Sequence, residues 1–190
     1  MRKLKLQIQI TLDGFVASPN GKLDWMAGWD SDDELKSYET EIADTVDTIL
    51  MGRKMTDEFV STWTKAAENP HSPDYAFAKR MVNIPKVVFT KTLIESPWAN
   101  TVLAKGELVE EVNSRKNQAG KDILVYGGAN FVSSLIKDNL IDEYNFFVNP
   151  VAIGNGMTLF KGLENKLSLQ LVKAKGFDCG VVLHCYEPKQ

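Results

Sequence analysis

The amino-terminal segment alternates between apolar and polar side chains. From residue 4 to residue 12 every second position is Leu or Ile, and the positions between them are Lys, Gln or Thr. A period of two is typical of a β-strand that buries one face in a core. The turn-forming residues of Asp13-Gly14 and of 18–21 follow at once, so they predict a loop directly after this strand.

Shorter apolar runs predict further strands, because each run is bounded by glycine, proline or polar residues. Three such runs lie in the first two thirds of the chain, at 48–51, 86–90 and 123–126. Strands then dominate the last third, at 143–148, 167–174 and 181–186. The change from isolated runs to consecutive runs indicates that the two parts of the chain are connected differently.

Apolar residues at helical spacing predict helices between the first strands. The first helix begins at a capping box formed by Ser31 and Glu34, and Leu35, Tyr38, Ile42 and Val46 lie along it. The others are a weak helix from about Met55, one that starts at Ser72-Pro73-Asp74 with Pro73 in the first helical position, one through Leu108 and Val112, and one through Phe131, Leu135 and Ile136.

The order of these elements predicts the fold class. Alternating strands and helices imply parallel crossovers, and the strand-rich end implies antiparallel strands added to the same sheet. We therefore expect residues 1–190 to form a single three-layer α/β domain with a mixed, mostly parallel central sheet. The long stretch without helical pattern from Asp13 to Asp30 is typical of a functional loop.

Composition excludes several classes of protein. With 44% hydrophobic and 25% charged residues in 190 residues, the chain is globular rather than disordered or collagen-like. A net charge of −3 gives no basic footprint for nucleic acid, and no apolar run is long enough to cross a membrane. Two cysteines without metal spacing and two histidines predict no metal site, and the absence of a signal-peptide pattern favours the cytoplasm.

Three predicted strand ends carry residues that suit a phosphate. Gly127 and Gly128 follow a buried strand and precede a helix, so free amides and the helix dipole favour an anion there. Gly52-Arg53-Lys54 follows another buried strand, and Thr90-Lys91 follows a third. Taken singly, a tight turn, a solvated cation pair and a polar loop explain the three segments as well as a ligand does.

Taken together, the three strand ends point to one ligand with several phosphates. Ligands of parallel sheets collect at the carboxyl ends of the strands. A diphosphate at Gly127-Gly128 and a separate monoester at Arg53 match NADPH, whose 2′-phosphate stands apart from its pyrophosphate. The chain has neither the G-x-G-x-x-G fingerprint nor a P-loop, so ATP hydrolysis is disfavoured.

The long loop carries the candidates for substrate contact. Trp25 and Trp29 border it, and either could cover a flat ring, although core packing is the ordinary role of tryptophan. Four acidic residues cluster at the end of this loop, namely Asp24, Asp30, Asp32 and Asp33. One of them could bind the edge of a heterocycle or relay a proton, whereas most of them are expected to cap the following helix or to face solvent.

The chain resembles the dihydrofolate-reductase-like superfamily, and within it the reductase (C-terminal) domain of the bifunctional deaminase-reductase of riboflavin biosynthesis and its stand-alone bacterial relatives. The resemblance covers most of the chain. Its most specific segments are Gly127-Gly128-Ala129 and Leu140-Ile141-Asp142-Glu143 at their mutual spacing, and it also includes 9–17, 50–53 and 149–160. No deaminase motif is present, so the resemblance concerns the reductase half.

The resemblance implies an NADPH-dependent reductase of a small heterocyclic or ribosyl-type substrate that works as a homodimer. It places Arg53 and Lys54, next to Gly52, at the 2′-phosphate and Thr90 and Lys91 along the adenosine. The residues it places at the pyrophosphate are Gly127, Gly128, Ala129, Asn130 and Phe131. It places the Gln9 backbone, Val16 and Ala17 beside the nicotinamide, and it makes 13–25 a lid.

The chain departs from the family pattern at two positions, which keeps the substrate open. Met55 stands where the family has Thr, with Thr56 one residue later, and Tyr126 replaces the Glu that meets the substrate's ribose chain. Folate reductases carry an acid on the first helix, and Asp30 is nearest by count. A uracil reductase, a dihydrofolate or pterin reductase, and a non-catalytic nucleotide-binding homologue therefore remain alternatives.

Overall fold

The predicted strands assemble into one mixed sheet. The computed structural model describes residues 1–26 and 32–189, and in these ranges the strands are β1 (Leu4–Thr11), β2 (Val46–Gly52), β3 (Lys86–Phe89), β4 (Thr101–Ala104), β5 (Asp122–Val125), β6 (Glu143–Asn149), β7 (Leu169–Gly176) and β8 (Val182–Pro188). Their order across the sheet is β4-β3-β2-β5-β1-β6-β8-β7. The pairs from β4 to β6 are parallel, whereas β8 and β7 are antiparallel additions.

Five helices of the described ranges cover both faces of the sheet. They are α1 (Asp33–Asp44), α2 (Arg53–Glu68), α3 (Tyr75–Asn83), α4 (Leu108–Lys116) and α5 (Ala129–Lys137). Leu35 of α1, Phe59 of α2 and Met81 of α3 pack in one core layer. Val112 of α4 and Leu135 of α5 pack in the other. The single three-layer α/β domain with antiparallel carboxyl-terminal strands is thus confirmed.

The alternation in β1 places its side chains on opposite faces of the sheet. Leu4 and Leu6 are fully buried in the layer that contains α4 and α5. Gln7 and Gln9 point the other way, since both donate hydrogen bonds to Glu39 of α1. β1 lies between β5 and β6, so both sets of side chains lie near the centre of the sheet, one on each face.

Several element boundaries differ from the sequence predictions. Val46 is the first residue of β2 rather than a helical residue, because Thr45 already ends α1 as its C-cap. α2 begins at Arg53, two residues before Met55, and α3 begins at Tyr75, so Pro73 lies in the preceding turn instead of the first helical position. β7 begins at Leu169 rather than at residue 167.

The strand β4 was not predicted from the sequence. It has four residues and lies at the edge of the sheet, where it pairs only with β3. Its Val102 is exposed, so the strand lacks the buried apolar run that marks the other parallel strands. Within the described ranges no helix is long and apolar enough to cross a membrane, and Cys179 and Cys185 are both free thiols.

Candidate active site

The turns after β2 and β5 lie against each other. A Cβ atom on Gly128 would stand 3.8 Å from the Cα of Gly52, and a Cβ on Gly52 would stand 2.8 Å from the Cβ of Phe131. The two strands are neighbours and parallel, so both turns are at the carboxyl edge of the sheet. The sequence prediction that Arg53 and the Gly127-Gly128 turn converge on one rim is therefore confirmed as geometry.

Two helices begin at this contact without a side-chain cap. The N-cap residues of α2 and α5 are Gly52 and Gly128, and no side chain of the described residues caps the first amides of either helix. By contrast α1 is capped by Asp32, whose Oδ1 accepts from the Leu35 amide at 2.9 Å. The first amides of α2 and α5 therefore form a shared positive rim, which suits an anion.

Two cations add to this rim. Arg53 and Lys54 occupy the first turn of α2, their residues are exposed, and they form no ion pair with any residue of the described ranges. Cations at a helix amino terminus are electrostatically unfavourable by a few tenths to about 1 kcal/mol. An anion bound here would be stabilised by both the cations and the helix dipole.

Thr90 and Lys91 follow β3 on the same edge. The Thr90 side chain is buried, and its Oγ1 accepts from the amides of Thr92 and Leu93 at 3.1 and 3.2 Å. Lys91 is exposed and lies 3.7 Å from the carboxylate of Glu107. Thr90 therefore shapes its own turn, whereas Lys91 places an exposed cation near this end of the sheet.

The loop after β1 is fastened to the segment after β6. Val16 donates its amide to the Met157 carbonyl, and Met157 donates back to Ala17, both at 2.8 Å. Asp13 accepts from Thr11 and from the amides of Gly154 and Ile153, and these hydrogen bonds lower the pKa of its carboxyl. The base of the predicted lid is thus fixed on both sides.

Trp25 lies near the far end of this loop. Its side chain is half-buried, and its indole Nε1 is enclosed without a hydrogen-bond partner among the described residues. Nearby, Ser18 donates to Asp24 at 2.6 Å. Asp30, the predicted catalytic acid, and Trp29 lie outside the described residues, as does Ser31 of the predicted capping box.

The two departures from the family pattern are both at the Gly-Gly turn. Met55 places its Sδ 3.2 Å from where a Gly127 Cβ would stand, and Thr56 is fully buried with its hydroxyl donating to the Gly52 carbonyl at 3.2 Å. Tyr126 packs edge-on against Phe59, with ring centroids 5.5 Å apart. Thr56 therefore holds the helix start and does not face the rim with its hydroxyl.

Sequence analysis missed a buried carboxyl on α1. Glu39 is only 5% exposed, and its Oε1 accepts from Gln9 Nε2 at 3.1 Å and from Gln7 Nε2 at 3.3 Å. Burial raises the pKa of Glu39 to about 7, against the opposing effect of these two hydrogen bonds. Burial, with the charges of Glu39 and Asp74, also raises the pKa of Tyr126 well above its usual range, so Tyr126 keeps its proton.

No motif could have identified Glu39, because an acid in the middle of a helix gives the same sequence pattern whether it faces solvent or a sheet. The signal that could have identified it is the pair Gln7 and Gln9, which lie on the same face of the predicted first strand. Two amides at alternate positions of a central strand need polar partners on the opposing layer.

Comparison with known proteins identifies the family of this chain. The family model of the RibD C-terminal domain matches residues 2–183, so the chain belongs to the RibD C-terminal domain family, a family of reductases of the riboflavin-pathway type. The chain is 33% identical over 187 residues to the uncharacterized protein YyaP of Bacillus subtilis, covering 97% of this chain and 94% of YyaP. It is 30% identical to YwjB of the same organism, covering 96% and 97%.

Solved structures share the fold. A protein of Shewanella sp. PV-4, named "Putative riboflavin biosynthesis protein", superposes with a TM-score of 0.74 at 26% identity over the whole of both chains. A diaminohydroxyphosphoribosylaminopyrimidine deaminase/5-amino-6-(5-phosphoribosylamino)uracil reductase of Thermotoga maritima has a TM-score of 0.67 at 18% identity, with 99% of this chain covering 57% of that one. The second likeness shows the fold alone, and the family match over residues 2–183 confirms the resemblance to the reductase domain.

Proposed function

We propose that the protein is an NADPH-dependent reductase of a small heterocyclic or ribosyl-type substrate, similar to the 5-amino-6-(5-phosphoribosylamino)uracil reductases. The observation that supports it most is the contact between two uncapped helix amino termini, at Gly52 and Gly128, beside the exposed Arg53 and Lys54. Because the chain belongs to a family of reductases, we infer that the anion bound at this rim is part of a redox cofactor.

The residues of the rim fit a ligand that carries anions at two separate places. Ala129, Asn130 and Phe131 begin α5, where free amides suit a pyrophosphate. Arg53 and Lys54 begin α2, where a guanidinium fork and an ammonium suit a phosphate monoester. A cofactor bound in this way would supply a hydride to the substrate carbon.

The chain itself would position the reactants and exclude water. The loop of residues 13–25 is fixed at its base by Val16 and Ala17, and its far end, with Trp25, would close over a ring. The backbone of Gln9 on the central strand β1 would border the nicotinamide. Asp30 stays a candidate for proton transfer, and Glu39 is a second acid close to the same strand.

Glu39 favours a second candidate substrate. Folate-type reductases are expected to carry an acid on the first helix, and Glu39 of α1 faces the sheet. Dihydrofolate and pterins therefore belong in any substrate panel. NADPH binding without turnover of any substrate would favour the non-catalytic alternative.

The family resemblance also leads us to propose a homodimer in the cytoplasm. Leu171 and Val172 are exposed on the edge strand β7, which gives an apolar surface for association. Light scattering after size exclusion should report twice the 21.2 kDa of one chain, and a monomer across micromolar concentrations would contradict the dimer.

The proposal is tested by cofactor selectivity. Arg53→Ala removes one charge-assisted contact to a 2′-phosphate, worth about 1.5–3 kcal/mol, so we expect NADPH affinity to fall roughly 10- to 150-fold. NADH lacks that phosphate and should bind the variant almost as it binds the parent protein. Fluorescence titration of both cofactors measures the two dissociation constants.

A matched variant separates this effect from general loss of charge. Arg80→Ala removes a partly exposed arginine from α3 that pairs with Asp44, away from the rim, and it should leave both affinities unchanged. Equal losses of NADPH and NADH in Arg53→Ala would contradict the assigned contact, and no binding of NADPH at millimolar concentration would overturn the proposed function.

A further inference from the structure

The side-chain amide of Gln9 is fixed at both of its polar atoms. Its Nε2 donates to Glu39 at 3.1 Å, and its Oε1 accepts from Asn149 Nδ2 at 2.8 Å. Asn149 is itself buried and also donates to the carbonyls of Ile10 and Phe147, at 3.3 and 3.1 Å. The amide of Gln9 therefore cannot turn without breaking bonds on two neighbouring elements.

This amide lies on the opposite face of the sheet from the phosphate-binding turn. Gln9 contacts α1, whereas α5 packs on the face that buries Leu4 and Leu6. Side chains of successive residues in a strand point to opposite faces, so Gln9, which lies an odd number of residues from Leu4 and Leu6, cannot share a face with them. The phosphates of a cofactor bound at the start of α5 would thus not contact the Gln9 side chain. A different group, on the cofactor or on the substrate, would contact it.

Part of the Gln9 amide remains available. A primary amide has two N–H donors and two acceptor lone pairs, and the described residues use one of each. Gln9 is half-buried, whereas Gln7 and Asn149 are buried, so of these three side chains Gln9 is the one that a ligand could reach. Their complement is a group that presents an acceptor and a donor side by side, as a lactam does.

The polar side chains around Gln9, namely Gln7, Glu39 and Asn149, reduce the stability of the fold. Gln7 is 2% exposed, and its Oε1 is buried without a partner among the described residues. An unpaired buried polar atom costs about 1–3 kcal/mol, and apolar side chains between β1 and α1 would avoid that cost. A polar layer with this cost is typical of a functional site rather than of a core.

We propose that the side-chain amide of Gln9, oriented by Glu39 and Asn149, binds the lactam edge of the substrate heterocycle and determines which ring is accepted. Glu39 and Asn149 are positioning residues in this arrangement. The inference rests on the proposed function for its substrate class, but its test reads binding without turnover.

The experiment compares two rings that differ only at the two lactam nitrogens, which carry hydrogen in one ring and methyl groups in the other. 5,6-Diaminouracil carries lactam N–H groups, and its 1,3-dimethyl derivative keeps both carbonyls but no lactam N–H. Calorimetric titration should show at least about tenfold weaker binding of the dimethyl ring to the parent protein, because the free acceptor of Gln9 then meets a methyl group instead of an N–H donor. This comparison needs no variant and no cofactor.

Variants then test whether Gln9 causes the preference for 5,6-diaminouracil over its dimethyl derivative. Gln9→Met keeps the length of the side chain and should bind 5,6-diaminouracil at least about fivefold more weakly, with no preference between the two rings. Gln170→Met changes an exposed glutamine of β7 and should behave as the parent protein. Glu39→Gln keeps an acceptor oxygen for Gln9 and should retain the preference, whereas Glu39→Leu should lose it.

NADPH titration of the same variants separates the two proposals. Gln9→Met keeps the backbone that would border the nicotinamide, so its loss of NADPH affinity should be much smaller than its loss of affinity for 5,6-diaminouracil, and far-UV circular dichroism shows whether the variant is folded. A Gln9→Met protein that keeps the ring preference, or that loses both ligands equally, would overturn the inference, as would a parent protein that binds neither ring. If NADPH alone fails to bind, the proposed function falls and the ring preference still tests Gln9.

Discussion

Glu39 is the residue whose environment differs most from that of an ordinary surface acid. It faces Gln7 and Gln9 of β1, the neutral Tyr126 lies nearby after β5, and the ion pair between Lys36 and Asp74 brings the other nearby charges. Burial raises the pKa of the Glu39 carboxyl from its ordinary value of 4.5 to about 7. Folding therefore takes up a proton at this residue across the mildly acidic range.

The pH dependence of stability follows from this shift. Below the unfolded-state pKa Glu39 is protonated in both states, and its contribution is fully present; it is lost as pH rises through about 7. Glu39→Gln removes the titration, so its free energy of unfolding relative to the parent protein should rise by about 2–3 kcal/mol between pH 5 and pH 8. Urea denaturation of both proteins at each pH measures it, and a constant difference would contradict the raised pKa.

Single residues show what sequence could and could not predict. Arg53, Lys54 and the Gly127-Gly128 turn were predictable, because strand-to-helix junctions follow from local pattern and parallel strands place them on one edge. Glu39 was not, since its role depends on which face of α1 meets β1. Neither was the use of the Thr90 hydroxyl inside its own turn.

Among the elements, the strongly patterned ones were predictable and the weakly patterned ones were not. The alternation of β1 and the apolar run of β5 identify buried strands, whereas the edge strand β4 exposes Val102 and has little pattern. The loop after β1 was predictable as a loop, but its attachment to the segment around Met157 is a tertiary contact that no local pattern encodes.

That attachment leads to a prediction about the lid. A Cβ on Gly156 would overlap the backbone oxygen of Ala17 and stand 3.0 Å from the Cβ of Phe15. Gly156→Ala should therefore destabilise the fold by about 1–3 kcal/mol, as overpacking does, and loosen the loop. Gly176→Ala has no atom within 4 Å of its Cβ and should change stability by less than about 0.5 kcal/mol.

Thermal and urea unfolding of the two alanine variants test this directly. Proteolysis should also cut Gly156→Ala within residues 13–25 faster than the parent protein, because the base of the loop would be released. Equal stability of Gly156→Ala and Gly176→Ala would show that the two segments separate without cost.

For the whole molecule, the candidate cofactor site is assembled from distant parts of the chain. Gly52 and Arg53 come from the β2–α2 junction, Gly128 from the β5–α5 junction, and Gln9 from β1. The unfolded chain holds these segments apart, so it offers no composite site. A ligand that binds only the folded state stabilises it by RT ln(1 + [L]/Kd).

NADPH should accordingly raise the melting temperature. At a hundred times its Kd the stabilisation is about 2.7 kcal/mol, which for a domain of this size corresponds to about 5–10 °C. The rise should grow with the logarithm of NADPH concentration in differential scanning fluorimetry, and Arg53→Ala should need a higher concentration for the same shift. If NADH raises the melting temperature of the parent protein as much as NADPH at equal concentration, then the Arg53 and Lys54 cations do not select a 2′-phosphate.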